Sequence, residues 1–399
     1  IDMTTAFPED RRAWCQNTEQ VENTQKKKTA PERGGFLDNV RSFDADFFRI
    51  TRREAEMMDP QQRIVLEESW KAIEDSGYNP LSFSGSKTGV FIGISNMEYD
   101  QLMVKKGVFD DAYAAIGTST SMIPNRISYF LNFHGPSLAI DTACSASLVA
   151  LHHAILSIRS GESVTALAGG INLCINPEKF SSIRNAGMLS SDGYCKTFDK
   201  HADGYARAEG VGFVFLKPLS QAEMDSDHIY GVIKGTAMNN NGFGGFEGAI
   251  TAPNPDAQAK LLIAAYKDAG IPFDTLTFIE AHGSATAIGD TLEIGGLQKA
   301  FKNLCHKHKT PSAVPPYCGI GSVKSNIGHT ESAAGIAGVL KVLLSLQHKT
   351  IPANLHINEL NPLIRLAKTP FYIVKETTEW EKIQDNEGRT IPRRAGVSS

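Results

Sequence analysis

The chain has 399 residues, of which 41% are hydrophobic, and its formal charge is −4 at pH 7. This length and apolar content are enough for a large buried core, and the nearly balanced charge gives no basis for nucleic-acid binding. No apolar run is long enough to cross a bilayer and no signal-peptide pattern opens the sequence, so we expect no association with a membrane. Six cysteines without framework spacing fit a reducing compartment, which predicts a cytoplasmic protein.

Apolar periodicity divides the chain into alternating helices and strands. A polar leader at 10–33, with lysines at 26–28, is predicted to be a solvated loop. Strands are then predicted at 89–94, 137–140, 164–168 and 212–216, and helices at 60–76 and 145–160. The second part repeats this style, with strands at 229–236 and 276–280 and helices at 257–269, 291–301 and 333–346. The alternation predicts an α/β chain of two similar halves, about 1–225 and 226–399, although no sequence repeat proves a duplication.

Cys144 lies where the predicted strand 137–140 meets the predicted helix 145–160. Unpaired N–H groups and the positive end of the dipole at a helix start favour thiolate over thiol, and the small neighbours of Cys144 leave room for a substrate. The pattern predicts a reactive nucleophile, and an inert buried cysteine is the alternative interpretation. The other five cysteines form no C-x-x-C pair and are interpreted as inert.

Two histidines downstream occupy glycine-containing turns. His282 follows the predicted strand 276–280, and His329 stands in a glycine-rich loop at 319–331 that leads into the helix 333–346. Glycine beside a histidine lets the backbone turn tightly and brings the imidazole close to a ligand. Two such histidines and a nucleophile indicate a covalent active site where the halves meet. A zinc site is the alternative, but short ligand spacing is absent and residues 305–308 are typical of a polar helix end or loop, so no metal is predicted.

Three motifs, in this order, resemble the signatures of β-ketoacyl synthases: Asp-Thr-Ala-Cys-Ser (141–145), Glu-Ala-His-Gly-Ser-Ala-Thr (280–286) and Gly-Ser-Val-Lys-Ser-Asn-Ile-Gly-His (321–329). Further similar stretches are Met-Asp-Pro-Gln-Gln-Arg (58–63), Asn-Arg-Ile-Ser-Tyr (125–129) and Phe-Asp-Lys-His-Ala-Asp-Gly (198–204). The resemblance extends from about residue 34 to the last residue and is best for ketosynthase domains of modular type I polyketide synthases. It implies that the whole chain, 1–399, is one ketosynthase domain with a thiolase-like fold, in which two similar βαβαβ halves form five α-β-α-β-α layers.

The resemblance also implies a condensing acyltransferase with a Cys-His-His site. Cys144 would take an acyl group from the thioester of an acyl carrier protein. His282 and His329 would each present a ring nitrogen to the enolate that forms when a malonyl thioester loses carbon dioxide. Lys324 and Glu331 match supporting residues of the family, and a surface salt bridge is the alternative role for both.

Substrate delivery in this family uses the phosphopantetheine arm of the carrier protein, so no bound cofactor is implied. Ser284 and Thr286 match hydroxyls that contact the arm, with turn capping as the alternative. The implied partners are the carrier protein, other polyketide synthase domains of the same module and a second copy of the chain. The homodimer interface is predicted at 125–131 and in the segment before Cys144, and docking of the acidic carrier is an alternative role for the leader lysines.

Several positions depart from the family pattern. Ala285 replaces a glycine, which is expected to narrow the path of the arm, and Ala208 and Thr291 replace a glycine and a proline. The chain ends at Ser399, before a glycine-rich loop that supplies an oxyanion-hole N–H in the family, and the family's first strand is absent before Ile1. We therefore expect a segment of a longer domain with low activity by itself.

An elongating ketosynthase is the leading hypothesis. A transacylating or chain-branching ketosynthase is the first alternative, since it keeps the site and changes its use. The second alternative is a non-catalytic, carrier-docking subunit, which the presence of Cys144 disfavours. The acyl substrate, its length and its β-substitution are not indicated by any of these motifs.

Overall fold

The computed structural model of the protein describes residues 1–9, 11, 33–242, 253–286, 288–308, 316–384 and 387–399. The predicted leader lysines therefore lie outside the described residues. The described strands are β1 (Thr5–Ala6), β2 (Arg33–Gly34), β3 (Thr88–Gly93), β4 (Ser137–Ile140), β5 (Thr165–Asn172), β6 (Gly210–Leu216), β7 (Phe278–Glu280), β8 (Cys318–Gly321), β9 (Thr350–Ile351), β10 (Phe371–Ile373), β11 (Thr378–Glu379) and β12 (Ala395–Val397).

The α-helices of the described segments lie mainly between these strands. They are α1 (Arg52–Met57), α2 (Pro60–Asp75), α3 (Tyr99–Lys105), α4 (Ala114–Thr118), α5 (Met122–Leu131), α6 (Ala146–Ser160), α7 (Pro177–Asn185), α8 (Leu219–Met224), α9 (Pro255–Ala269), α10 (Gly289–His308), α11 (Lys324–Ile327) and α12 (Ala334–His348).

The first large sheet has the order β4–β3–β5–β6, with β3 parallel to β4 and β5, and β6 antiparallel to β5. Its side chains alternate between two covered faces, as the period of a strand requires. Val90 and Ile92 pack with α2 and α5 through residues such as Val65 and Ile127. Phe91 points the other way and packs against α6. The sheet is therefore buried on both sides.

The second large sheet has the order β10–β8–β7–β12, and its strands are all parallel. Ile279 and Ile320 pack with α9 and α10 on the outer face, where Leu262 and Leu297 lie. On the inner face Phe278 packs with residues of α12. Because parallel strands end at the same edge, the segments that follow β7 and β8 emerge side by side.

The middle of the molecule is a layer made of α6 and α12. A Cβ on Gly335 of α12 would lie 2.5 Å from Leu148 Cγ of α6, so the two helices touch closely. The order of layers is α2 and α5, the first sheet, α6 and α12, the second sheet, then α9 and α10, which confirms the predicted five-layered α/β fold. Among the residues described, none of these helices is both long and apolar enough to span a bilayer.

Most of the predicted elements are confirmed. The helices predicted at 60–76, 145–160, 257–269 and 333–346 correspond to α2, α6, α9 and α12, and the strands at 89–94, 137–140, 164–168, 212–216 and 276–280 correspond to β3 to β7. The helix predicted at 291–301 is longer and forms α10. The division of the chain near residue 225 falls between β6 and β7 and stays a prediction.

The strand predicted at 229–236 is wrong. A strand needs the N–H and C=O groups of a neighbouring strand, whereas the described contacts of this segment are with helices. Cβ atoms on Gly231 and Gly235 would lie 2.9 Å from Leu343 Cδ2 of α12 and 2.3 Å from the backbone nitrogen of Ala269 of α9. The segment therefore lies against α9 and α12.

The prediction of one glycine-rich loop at 319–331 is also partly wrong. Residues 318–321 form the buried strand β8, and residues 324–327 form the short helix α11. A Cβ on Gly321 would lie 3.2 Å from both the Phe278 ring and Lys341 Nζ. Glycine here permits close packing inside a sheet, which the sequence pattern does not distinguish from a loop.

Gly93 provides a test of the packing that positions the nucleophile. A Cβ on Gly93 would lie 2.4 Å from the backbone nitrogen of Ser147 and 2.5 Å from the carbonyl carbon of Ala146, in the first turn of α6. We expect Gly93→Ala to lower the free energy of unfolding by about 1–3 kcal/mol, measured by urea denaturation. The control is Gly295→Ala in α10, where nothing lies within 4 Å, and it should be neutral or stabilising by up to about 1 kcal/mol. Equal stability of Gly93→Ala and the wild type would contradict this packing.

Candidate active site

Cys144 lies in a strained 3₁₀ turn, Ala143–Ser145, between β4 and α6. Ala143 has a φ of 54°, a left-handed conformation that costs a residue other than glycine about 1–3 kcal/mol. Asp141 Oδ1 holds the turn, because it accepts the Ala143 N–H at 3.0 Å and the Ser95 hydroxyl at 2.6 Å. The result is a half-buried thiol at the start of a helix.

Glu293 fixes the turn that carries His282. The backbone N–H groups of His282 and Gly283 donate to the two carboxylate oxygens of Glu293, at 2.7 and 2.8 Å. Gly283 has a φ of 49°, and a Cβ there would lie 2.6 Å from Thr197 Cγ2 and 2.8 Å from Ser322 Cβ. Glycine is therefore required beside His282 for both conformation and space.

Asp290 fixes the continuation of this turn. Its carboxylate accepts the N–H groups of Phe198 at 2.7 Å and of Ala285 at 3.0 Å. Ala285 has a φ of 58° and is fully buried against Cys195 and Ala206. Alanine in place of glycine at position 285 thus has a strained backbone conformation. Its expected narrowing of the path of the phosphopantetheine arm stays a prediction.

His329 is held on both sides by backbone hydrogen bonds and on its ring by a third. Its N–H donates to the carbonyl of Ala206 and its carbonyl accepts from Ala208, both at 2.8 Å. Its Nδ1 accepts the backbone N–H of Glu331 at 2.9 Å, which the φ of 45° at Glu331 permits. A ring nitrogen that accepts a hydrogen bond is unprotonated, so the proton of the neutral imidazole lies on Nε2.

The three predicted side chains meet at the junction of the halves. The Cys144 sulfur and one ring nitrogen from each of His282 and His329 lie within 4.8 Å of one another. The two imidazole centroids are 5.4 Å apart, and the rings are nearly perpendicular at 82°. Ser399 Oγ donates to the Cys144 carbonyl at 2.9 Å and lies 3.5 Å from His282 Nδ1, a separation too long to fix the tautomer of that ring.

One cysteine and two histidines are also a donor set that zinc accepts. A metal ligand must offer a free lone pair, however, and the hydrogen bond from Glu331 occupies the lone pair on Nδ1 of His329. The other nitrogen, Nε2, then carries the proton. The arrangement favours a hydrogen-bond donor at His329 over a metal ligand.

Burial keeps both imidazoles neutral. It lowers the pKa of His282 to about 3 and the pKa of His329 well below its usual value, and the Lys324 charge lowers both further. Lys324 is 3% exposed, so the surface salt bridge proposed as its alternative role is wrong. Burial lowers the pKa of Lys324 as well, opposed by the charges of Glu280 and Glu293.

Glu331 forms an ion pair with a buried arginine. Arg207 Nε donates to Glu331 Oε1 at 2.6 Å and its NH2 group donates to Oε2 at 3.2 Å. The Arg207 side chain is completely buried and that of Glu331 is 15% exposed, so a surface salt bridge is wrong here too.

Sequence reasoning missed Arg207, Asp290 and Glu293 as parts of this site. The spacing of Asp290 and Glu293 offered a signal, because residues at i and i+3 of a helix face the same way. This helix begins soon after the His282 turn, so both carboxylates could be expected near that turn. Arg207 offered a weaker one, as a charged residue between two alanines.

Ser284 and Thr286 lie half-buried beside His282, with hydroxyl oxygens 3.3 Å apart. The Thr286 hydroxyl lies directly over the start of α10, where a Cβ on Gly289 would be 2.2 Å from it. Their contact with a phosphopantetheine arm stays a prediction.

The N–H groups at the helix start lower the pKa of Cys144, as predicted, but they do not set the direction of the net shift. Burial raises the pKa of Cys144, and this effect outweighs the Lys324 charge and the backbone N–H groups of Cys144 and Ser145, which lower it. A helix start favours a thiolate only where the loss of water around the sulfur is small. The net shift therefore disfavours the thiolate.

Comparison with known proteins identifies the family. Residues 1–222 match the family model of the β-ketoacyl synthase N-terminal domain, and residues 230–358 match that of the C-terminal domain. The chain belongs to the β-ketoacyl synthase family. It is 52% identical over 398 residues to polyketide synthase PksN of Bacillus subtilis, covering 100% of this chain and 7% of that protein. It is 45% identical over 408 residues to PksM of the same organism, covering 100% and 9%. The chain thus spans less than a tenth of these relatives.

Solved structures agree with this assignment. The oxazolomycin ketosynthase domain OzmH KS7 of Streptomyces albus has a TM-score of 0.90 and 40% identity, covering 99% of this chain and 68% of that one. The ketosynthase of module 6 of the bacillaene synthase of Bacillus subtilis has a TM-score of 0.84 and 38% identity, covering 99% and 64%. The predicted thiolase-like fold and ketosynthase identity are confirmed, and the chain is a condensing, acyl-transferring enzyme domain of the modular polyketide synthase type.

The raised pKa of Cys144 predicts how its reactivity depends on pH. Because the thiolate is the nucleophile, the rate of alkylation by iodoacetamide should keep rising from about pH 7 to about pH 10, with no plateau near neutrality. Mass spectrometry of the Cys144 peptide measures the rate, and Cys318, which is 2% exposed, is the internal reference that should stay unmodified. Lys324→Met should slow the reaction further, since it removes a charge that lowers the pKa. A plateau below about pH 7 would refute the raised pKa.

Proposed function

We propose that Cys144 accepts an acyl chain from a carrier-bound thioester. Its sulfur attacks the thioester carbonyl carbon, and the bond from that carbon to the sulfur of the phosphopantetheine arm breaks. The thiol proton ends on the released arm. Burial raises the pKa of Cys144 and so disfavours loss of this proton ahead of the transfer. The product is an acyl-cysteine.

The second half-reaction uses the two imidazoles. His282 and His329 donate hydrogen bonds to the thioester oxygen of a malonyl-type unit on the carrier, where negative charge develops as carbon dioxide leaves. The resulting enolate carbon attacks the carbonyl of the acyl-cysteine, and the bond to the Cys144 sulfur breaks, which leaves a thiolate that takes up a proton from water. A β-ketoacyl thioester remains on the arm.

The observation that carries this proposal is the hydrogen bond from the Glu331 N–H to His329 Nδ1. It leaves the proton on Nε2, as a donor to a developing oxyanion requires. A donor at His329 favours condensation over simple acyl transfer, because acyl transfer to Cys144 involves no malonyl oxygen that His329 would have to stabilise.

The remaining predicted residues have supporting roles under this proposal. Lys324 and Glu331 supply electrostatic and positional support around the three reacting side chains. The half-buried hydroxyls of Ser284 and Thr286 contact the phosphopantetheine arm, which brings both substrates, so the domain holds no cofactor of its own. Other domains of the same synthase supply and remove these carriers.

We also propose a symmetric homodimer through β4 and α5. β4 lies at the end of its sheet, and such an edge strand offers unpaired backbone groups to a second strand. Leu138 on β4 is 45% exposed and Tyr129 on α5 is 90% exposed, so both elements present a large side chain that a second copy could cover. The described cysteines are all free thiols, in keeping with the predicted cytoplasmic location.

The two half-reactions can be measured separately on the full-length protein. After incubation with an acyl thioester, mass spectrometry should find the acyl group on Cys144 in the wild type and in His329→Ala, and none in Cys144→Ala. With a malonyl carrier, His329→Ala should release carbon dioxide about 100-fold more slowly, since one oxyanion donor is lost. His228→Ala, at an exposed site outside the proposed dimer interface, is the matched control and should match the wild type.

Each other outcome selects a different function. Absence of an adduct on Cys144 would leave the non-catalytic, carrier-docking role. An adduct without a β-ketoacyl product after addition of the malonyl carrier would indicate a transacylating domain. Unchanged decarboxylation in His329→Ala would overturn the role given to His329.

A further inference from the structure

Asn96 lies directly behind Glu331, on the first half of the molecule. It follows β3, is 8% exposed, and its carbonyl accepts the Gln61 side-chain amide at 2.7 Å. Its own Nδ2 donates two hydrogen bonds, one to Asn172 Oδ1 at 2.7 Å and one to the Glu331 carboxylate. Both hydrogens of the amide are therefore used.

The orientation of the Asn96 amide is forced by its neighbours. Asn172 donates its own Nδ2 to the carbonyl of Ala208 at 2.8 Å, so its Oδ1 must face Asn96 as an acceptor. The second neighbour, the Glu331 carboxylate, accepts as well. Only the NH2 group of Asn96 satisfies both, and an oxygen in its place would face two acceptors.

Asn96 and Arg207 divide the Glu331 carboxylate between them. Arg207 binds Oε1 and Oε2 from one side, and it is also paired with Glu98 at 3.4 Å. Asn96, which like Arg207 belongs to the first half, binds Oε2 as well. A side chain fixed by two partners can hold its own backbone in a strained conformation, and Glu331 has a φ of 45°. In that conformation its N–H reaches His329 Nδ1.

We propose that Asn96 is a positioning residue for decarboxylation: it holds the Glu331 carboxylate so that the Glu331 N–H keeps the His329 proton on Nε2. The hydrogen bond from Asn96 to Glu331 connects the half that carries Cys144 to the loop of the other half that carries His329. This inference rests on the proposed function of His329, and it assigns no contact between Asn96 and the substrate.

Asn96→Asp and Asn96→Ala test it through the two half-reactions. In both variants the rate of acylation of Cys144 should be within about threefold of the wild type, because the described hydrogen bonds of Asn96 do not involve the turn Ala143–Ser145. Decarboxylation of a malonyl carrier should fall about 10- to 100-fold, the effect expected when a buried hydrogen bond to a charged group is lost. Asn361→Asp is the matched control, since Asn361 is also 8% exposed and its Oδ1 accepts from Leu363. It should leave the ratio of the two rates unchanged.

The pH profile separates positioning from general damage. The carboxyl introduced at position 96 faces Glu331, with Arg207 and Glu98 as the other charged groups of this network, and when protonated it can donate to Glu331 again. The loss of decarboxylation rate in Asn96→Asp, relative to the wild type, should therefore become smaller as the pH falls from about 8 to about 6. The loss in Asn96→Ala should stay constant over this range. If Asn96→Asp fails to fold, Asn96→Ala carries the rate-ratio test alone.

The outcomes distinguish this inference from the function on which it rests. Equal losses of acylation and decarboxylation in both variants, or an unchanged decarboxylation rate, would overturn the role of Asn96. If His329→Ala itself keeps full decarboxylation, the proposed function fails first. A loss in His329→Ala without one in Asn96→Asp or Asn96→Ala overturns only the positioning role.

Discussion

The hydrogen bond from the Glu331 N–H to His329 Nδ1 is the interaction on which the site depends. A neutral imidazole can carry its proton on either nitrogen, and this bond selects the one that leaves a donor on Nε2. It exists because Glu331 adopts a left-handed backbone, and that backbone is stabilised through a carboxylate bound by Arg207 and Asn96. One half supplies the nucleophile and helps to fix the donor carried by the other half.

Burial has opposite consequences for the two half-reactions. It keeps His282 and His329 neutral, which suits donation to an enolate oxygen in a site with little water. The same burial raises the pKa of Cys144 and disfavours its thiolate. The Lys324 charge offsets part of this rise at Cys144, whereas at both imidazoles it adds to the lowering by burial. Under the proposed function, burial therefore opposes acyl transfer to Cys144 and favours the neutral donors that decarboxylation needs.

Much of the fold, and the meeting of Cys144, His282 and His329 at one site, could be predicted from the sequence. Cys144, His282 and His329 stand in motifs with a fixed order, and strand–helix periodicity located β3 to β7 and the long helices. The segment 229–236 was predicted wrongly because its pattern suits a strand, while its described contacts are with helices. Periodicity reports which residues are apolar and not which element lies beside them.

The electrostatics of the site were not predictable in the same way. A helix start suggested a thiolate at Cys144, but the sign of the pKa shift depends on how much water the folded chain removes. Asn96 and Arg207 act through contacts between residues more than 100 positions apart along the chain. No local pattern around Asn96 indicates that its amide meets Glu331, since this contact arises only when the two halves pack together.

The central claim, that His329 is a neutral imidazole with its proton on Nε2, can be measured directly by NMR of protein labelled with ¹⁵N-histidine. We predict that His329 keeps one protonated Nε2 and one unprotonated Nδ1 from about pH 5 to about pH 8, because burial holds its pKa well below the usual value of about 6.5. His329→Ala assigns the signals. An imidazolium at neutral pH, or a neutral ring with the proton on Nδ1, would contradict the account.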